Sequence, residues 1–414
     1  MDYLLSSIII TKHSICEWSS FDKDLLDLEN NILNEKKKIN PFLTLSFYES
    51  PQLQKTSAEI FVKEEFDFRN NQNYKFHIQT KKKIRIAYYS ADFRNHPMSY
   101  LLANLYELHD KNKFEIIGIS FGPDKDDKMR KRVSNAFDEF YDLRLKTEDE
   151  IVKFSRELKI DIAIDLMCFT KYHKFGIFVK RCAPIQVNYL GYPGTSGTNH
   201  LDYIIADKIL IPKESQKYYS EKIVYLPNTY QANDSTKKIS DKIFTREELG
   251  LPKDGFVFCC FNNNYKITPQ VFDVWMRLLE RVENSVLWIL SENINISKNL
   301  KKEATLRDID FNRIVFAKRI KMNEHLARQK VADLFIDTFP YTGHTTASDA
   351  LWVGLPVLTR IGKSFASRVS ASLLNAIGLS ELVTNSEKEY EDLAIELATN
   401  STKLEEIKML KEVY

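Results

Sequence analysis

Residues 331–359 read VADLFIDTFPYTGHTTASDALWVGLPVLT, and the reading of this stretch decides the fold. Leu334-Phe335-Ile336 is an apolar run too short for a helix and suited to a buried strand. Asp337 to Gly343 follows as a loop carrying two breakers, Pro340 and Gly343. Thr345 or Thr346 is then expected to cap a helix, with Asp349 three residues beyond Thr346 in a capping-box-like position. Gly354 ends that helix and Pro356-Val357-Leu358 opens another strand. The stretch therefore predicts strand, loop, helix, strand. Free N–H groups and the positive end of the helix dipole would meet hydroxyls and His344 at the helix start, a natural seat for phosphate. An ordinary capped helix of an α/β sheet explains the same pattern. His344-Thr345-Thr346 with Asp349 is more polar than a cap requires, so this stretch alone leaves both readings open.

The bulk properties narrow the class. A chain of 414 residues suffices for two or three domains. A hydrophobic content of 43% with 28% charged residues describes a globular protein with a sizeable core. A net charge of +2 gives no global pull toward nucleic acid or an anionic membrane, and the runs Lys36-Lys37-Lys38 and Lys81-Lys82-Lys83 read as solvated. The five cysteines (Cys16, Cys168, Cys182, Cys259, Cys260) form no C-x-x-C pair and are odd in number, which argues against a disulfide framework or zinc site and suits a reducing compartment. Leu4 to Ile10 is apolar but follows Asp2, is a poor signal peptide and is too short to span a bilayer. A cytoplasmic protein without membrane insertion is expected.

Along the chain, residues 1–80 suggest a small helical cap packed on the next domain, with helices at Phe21 to Leu33 and Ser57 to Phe66. At Ile84 the texture changes. Strand-like runs at Ile84–Ser90, Phe114–Ser120, Ile162–Ile164, Ile185–Leu190 and Tyr203–Ile205 alternate with helical segments such as Met98 to Leu108. Such alternation signals βαβ units and a parallel sheet. Gln231 to Ser240 is polar and reads as a linker, after which the alternation resumes. Strands are expected at Phe256–Phe261, Val286–Leu290 and Ile314–Phe316. Helices are expected at Pro269–Arg281, capped by Thr268, at Glu324–Lys330, at Ser364–Ala376 and from Glu387 onward. The expected domains are thus 1–80, 81–235 and 236–414, two α/β modules with a ligand cleft between them.

Four loops after predicted strands carry unusual polar residues. Asn95-His96-Pro97 offers an imidazole suited to proton transfer near neutrality, or a mere turn histidine before proline. Gly191-Tyr192-Pro193-Gly194-Thr195-Ser196-Gly197 lacks the G-x-G-x-x-G spacing of dinucleotide loops; its glycines permit close ligand approach or a sharp turn. Asn262-Asn263-Asn264-Tyr265-Lys266 places a lysine before a helix start, able to reach a phosphate or simply to be solvated. Lys321 and His325 lie one helical turn apart, where an imidazole could stack on a base or sit half-exposed. Metal use is not expected. The D-x-D pairs Asp22/Asp24, Asp124/Asp126 and Asp308/Asp310 lie in charged sequence, and no His/Asp/Glu cluster has ligand spacing. It is the combination of phosphate-seat helix, loop lysine and a histidine from the other module that suggests a site.

The segments NHPMS, APIQVNYLGYPGTSG, DYIIAD, YSEKIVYLPNTYQAND, FNNNYKITP, NSVLWIL, GHTTASDALWVGLPVLT and FASRVSASLL together closely resemble the catalytic region of the O-GlcNAc transferase family, glycosyltransferase family 41, in its bacterial form. The resemblance runs from about Ile84 to Thr399, with weaker similarity upstream from about Cys16. It implies a GT-B fold: two Rossmann-like domains, the second holding the nucleotide sugar. It also implies inverting, metal-independent transfer from UDP-GlcNAc to Ser or Thr hydroxyls of a protein or peptide acceptor. By position, Lys266 would contact the diphosphate and stabilise departing UDP, with Asn263 beside it. Thr345 and Thr346 would bind the phosphates, with His344 alongside, and Asp349 would hold the ribose. Lys321 and His325 would contact the uridine. His96 would act near the reacting sugar as base or proton relay, with Asp165 as a second candidate base. Gly194 would let the glycine loop approach the ligand.

Four departures bear on this resemblance. Only about 80 residues precede the catalytic region, whereas animal members carry long tetratricopeptide arrays. Met167-Cys168-Phe169-Thr170 stands where glycine and tyrosine are expected before the threonine. The chain ends at Tyr414, where relatives usually continue, and Asn263 stands where animal members have Gln. A transferase of this fold with another sugar or acceptor, and a non-catalytic nucleotide-sugar-binding module, are the competing expectations.

Overall fold

The computed structural model describes residues 2–34, 39–66, 74–76, 82–123, 127–291 and 293–409. The lysine run at 36–38, Lys81, the Asp124/Asp126 pair and the tail beyond Met409 lie outside the described residues. The chain divides into two compact units. The N-proximal unit comprises 32–44 and 50–237; the C-proximal unit comprises 1–31, 45–49 and 238–414.

In the N-proximal unit seven strands form one parallel sheet: β1 (Ile84–Ser90), β2 (Phe114–Ser120), β3 (Glu139–Asp142), β4 (Ile162–Asp165), β5 (Ile185–Asn188), β6 (Tyr203–Ala206) and β7 (Lys222–Tyr225). Their order is β3-β2-β1-β4-β5-β6-β7. β1 is central and its last five residues are buried, as a strand covered on both faces demands. The chain leaves β1 toward one edge and then crosses to β4, so the order reverses between β1 and β4.

The C-proximal unit repeats this plan with β8 (Val257–Cys260), β9 (Val286–Leu290), β10 (Ile314–Ala317), β11 (Leu334–Ile336), β12 (Val357–Arg360) and β13 (Val383–Thr384), ordered β10-β9-β8-β11-β12-β13. Every pairing is parallel. Here the reversal falls between β8 and β11. Doubly wound sheets bind ligands beyond the carboxyl ends of the strands at such a reversal. The two architectures are the Rossmann-like α/β domains expected.

The helices of the first 66 residues do not form one cap on the following domain. Asp2–Ser14 and Phe21–Leu33 belong largely to the C-proximal unit, whereas Pro51–Glu65 belongs to the N-proximal one. The cause is aromatic packing: Trp18 meets Phe272 edge-on at 5.4 Å, and Asn299 Nδ2 donates to Ile15 O at 2.8 Å. The Cys16 thiol also approaches Asn264 O at 3.7 Å, in the turn beyond the carboxyl end of β8.

Candidate active site

The site is built at the reversal of the second sheet. After β8 the chain makes a tight turn, Asn264–Lys266, before the helix Pro269–Arg281, which Thr268 caps through Val271 N–H as expected. This turn carries Lys266, only 7% exposed, into the unit. Its Nζ donates to Thr342 O at 2.8 Å and stands 3.8 Å from the centroid of the Tyr341 ring. Burial draws its pKa down to about 7, against the pull of Asp337.

After β11 comes the loop that ends in the helix Thr345–Trp352. Asp337, fully buried, organises it. Its Oδ1 accepts from Thr338 N at 2.8 Å, Gly343 N at 2.6 Å and Asn262 Nδ2 at 2.8 Å, and its Oδ2 accepts from Thr359 Oγ1 at 2.8 Å. A carboxylate with this many donors can remain buried. Gly343 fits because a Cβ there would stand only 3.0–3.1 Å from Asn262 Oδ1, Ala347 Cβ and Asp337 Oδ1.

The expected cap is overturned. Thr345 already lies inside the helix; His344 is the N-cap, and its side chain makes no capping bond. The threonine hydroxyls are therefore not used as caps, and Thr346 Oγ1 instead donates to Asn262 Oδ1. Asp349 is likewise no capping-box partner; it lies buried on the second turn. The first-turn N–H groups thus receive no cap from the His344 side chain. His344 Nε2 faces Ala366 O at 3.3 Å and its ring stacks tilted on Tyr341 at 4.9 Å. Burial first, then the Lys266 charge, hold its pKa well below the usual histidine value, so it is neutral with its proton on Nε2.

His325 lies on the helix Met322–Gln329, with Lys321 as its exposed N-cap. Its Nδ1 accepts from Arg328 Nε at 3.1 Å and Nη2 at 2.8 Å, and its ring meets Phe261 edge-on at 5.1 Å. Burial, aided by Arg328 and Arg319, lowers its pKa to about 3. The imidazole is thus held flat, neutral and protonated on Nε2. Asn263 is exposed at the turn, whereas its neighbour Asn262 is buried in the Asp337 network. Sequence reasoning named Asn263 and passed over Asn262, Asp337, Tyr341 and Arg328, which hold the loops in place. A polar residue closing an apolar strand just before a double-breaker loop was the signal available for Asp337.

The remaining expected residues, His96, Asp165 and Gly194, belong to the N-proximal unit, at the ends of β1, β4 and β5. His96 caps the helix Pro97–Glu107, its Nδ1 accepting from Met98 N at 3.3 Å with Asp92 Oδ2 3.6 Å away. Burial depresses its pKa, opposed by Asp92. The same Nδ1 thus faces both the Met98 N–H and the Asp92 carboxylate. Asp165 is only 1% exposed. Its Oδ1 accepts from Met167 N at 2.8 Å and Cys168 N at 3.1 Å, while Oδ2 has no hydrogen-bond partner among the described residues and burial pushes the pKa up to about 7. Gly194 serves the loop's own geometry: its N–H donates to Tyr192 O at 3.0 Å and its carbonyl accepts from Asn188 Nδ2 at 3.1 Å. Cys168, standing where the resemblance expects glycine, holds the left-handed φ of 44° that glycine would adopt without strain.

A family model described as glycosyl transferase family 41 matches residues 15–241 and 235–413. The chain belongs to that family. Among its relatives is the Arabidopsis thaliana protein named "Probable UDP-N-acetylglucosamine--peptide N-acetylglucosaminyltransferase SEC", 36% identical over 330 residues, covering 78% of this chain and 34% of the relative. The UDP-N-acetylglucosamine–peptide N-acetylglucosaminyltransferase of Caenorhabditis elegans is 27% identical over 442 residues, covering 80% and 38% respectively. The family 41 chain thus spans about a third of the length of these curated relatives. A solved lysine-to-methionine variant of the Thermobaculum terrenum O-GlcNAc transferase superposes with a TM-score of 0.85 at 26% identity, covering 99% of this chain and 78% of that one. Among the described residues of the family 41 chain, no helix is long and apolar enough to cross a membrane, and no group of three or more His, Cys, Asp or Glu side chains is placed to hold a metal.

Proposed function

We propose that this family 41 chain is an inverting glycosyltransferase that moves GlcNAc from UDP-GlcNAc to Ser or Thr hydroxyls of proteins. The observation that carries the reading is the buried Lys266 ammonium, set against the loop that leads into an uncapped helix start. A departing diphosphate gains charge in the transition state; fixed N–H donors and one ammonium answer that charge without a metal. Thr345 and Thr346 would bind the phosphates, Asp349 the ribose and His325 the base, its orientation fixed by Arg328. His96 would act near the reacting sugar as base or proton relay. The names of the relatives support the donor and acceptor classes. Five buried, unpaired cysteines support work in the cytoplasm.

The test is UDP release from UDP-GlcNAc and from UDP-glucose, with a bacterial lysate as acceptor, alongside Lys266→Ala. Turnover preferring UDP-GlcNAc and falling by roughly 10²–10³-fold in Lys266→Ala is expected. Turnover surviving that substitution contradicts the role of Lys266. UDP binding without turnover points to a nucleotide-sugar-binding module, and a preference for UDP-glucose to another donor.

A further inference from the structure

We propose that Tyr341 is a positioning residue for Lys266, its ring face standing in for a counter-ion so that the ammonium stays uncommitted until a diphosphate arrives. The inference rests on the nucleotide-sugar reading above. Lys266 Nζ lies 3.8 Å from the Tyr341 centroid and has Thr342 O as its hydrogen-bond acceptor. Among the described residues it forms no ion pair, unusual for a lysine buried this deeply. The titratable groups around it are Asp337 and Cys260 from the strand ends, and His344, Tyr341 and Tyr265 from the loops. Asp337 is the one carboxylate near enough to be felt, and its oxygens are taken by Gly343, Thr338, Asn262 and Thr359.

A carboxylate paired with Lys266 would hold the charge but compete with the incoming phosphates. An aromatic face attracts the ammonium through its quadrupole and presents nothing that a phosphate must displace. Tyr341 is held in turn between neighbours: His344 stacks on it at 4.9 Å and the Tyr265 ring meets its edge at 6.2 Å. The lysine is thereby aimed without being neutralised.

The experiment reads the lysine directly. Lysine labelled with ¹³C and ¹⁵N is titrated by NMR in the nucleotide-free protein, the Lys266 signal being assigned with Lys266→Arg, and UDP affinity is measured at two pH values in the same variants. Tyr341→Phe keeps the ring and is expected to titrate as the wild type does. Tyr341→Leu is expected to lower the Lys266 midpoint by about half a pH unit or more and to weaken UDP most above that midpoint. Should the leucine variant fail to fold, 3,4,5-trifluorophenylalanine at 341 keeps the shape while weakening the quadrupole, and the same downward shift is expected. A midpoint indifferent to the ring overturns the inference whatever UDP does. A midpoint that follows the ring in a protein that binds no UDP overturns the nucleotide-sugar reading and leaves the coupling of Tyr341 to Lys266 standing.

Discussion

Two buried titratable side chains dominate the behaviour expected of single residues. Lys266 is drawn down to about 7 by burial. A bound diphosphate supplies the negative charge that burial withholds, so the liganded protein keeps the Lys266 proton to higher pH. The complex then holds more protons than the free protein above pH 7, and UDP affinity should fall as pH rises through and beyond that value, by up to about tenfold per pH unit. Calorimetric titration with UDP across this range tests it, and Lys266→Arg should flatten the slope. The Asp165 pKa is shifted the other way, and its consequence is read in stability. Its folded pKa of about 7 lies above its ordinary 3.8, so between these values the folded chain holds a proton the unfolded chain releases. Stability should therefore be lost as pH rises through that window. Asp165→Asn keeps an acceptor for Met167 N–H, and urea midpoints measured at several pH values should lose this downward trend.

At the scale of elements, the loop after β5 shows how one carboxylate can shape a turn. Glu221 is buried and accepts from Thr195 Oγ1 and Ser196 N, both at 2.7 Å. Glu221→Ala leaves two buried donors without an acceptor, and a loss of about 2–4 kcal/mol in urea unfolding is expected. Gly191→Ala should cost more, because its Cβ would fall 1.8 Å from Leu166 O, a backbone atom that cannot swing aside. Neither effect is visible in the sequence, since Glu221 sits 25 residues from Ser196. What was legible follows the same physics. Fully buried strands announce themselves as unbroken apolar runs, as Val257-Phe258-Cys259-Cys260 does. The edge strands Glu139–Asp142 and Lys222–Tyr225 were passed over because they are short and half-exposed. In the site, Lys266 and the phosphate-seat helix stood out because glycine, proline and hydroxyl spacing is local. Asp337 did not, because its Asn262 and Thr359 partners lie 75 and 22 residues away.

At the scale of the whole molecule, the first residues support the site from behind. Helix Asp2–Ser14 packs against the turn that carries Lys266, and Cys16, just past the helix, approaches Asn264 O. Glu49 pairs with Arg360, whose guanidinium lies 4.3 Å above the Phe339 ring in the Asp337 loop. Removing residues 1–20 should therefore lower both the melting temperature and UDP affinity, read by calorimetry and equilibrium binding, although none of the removed residues is assigned to the ligand. Trp18→Ala should reproduce part of the loss, about 3 kcal/mol or more for an aromatic side chain taken from a core. The division of the chain has a further consequence for its synthesis. A ribosome finishes 32–44 and 50–237, one complete unit, while the other owns only 1–31 and 45–49. Those opening helices must wait through translation of the entire intervening unit before their partners emerge. Nascent chains stalled near residue 270 should thus show a protease-resistant N-proximal unit beside helices that are still readily cut.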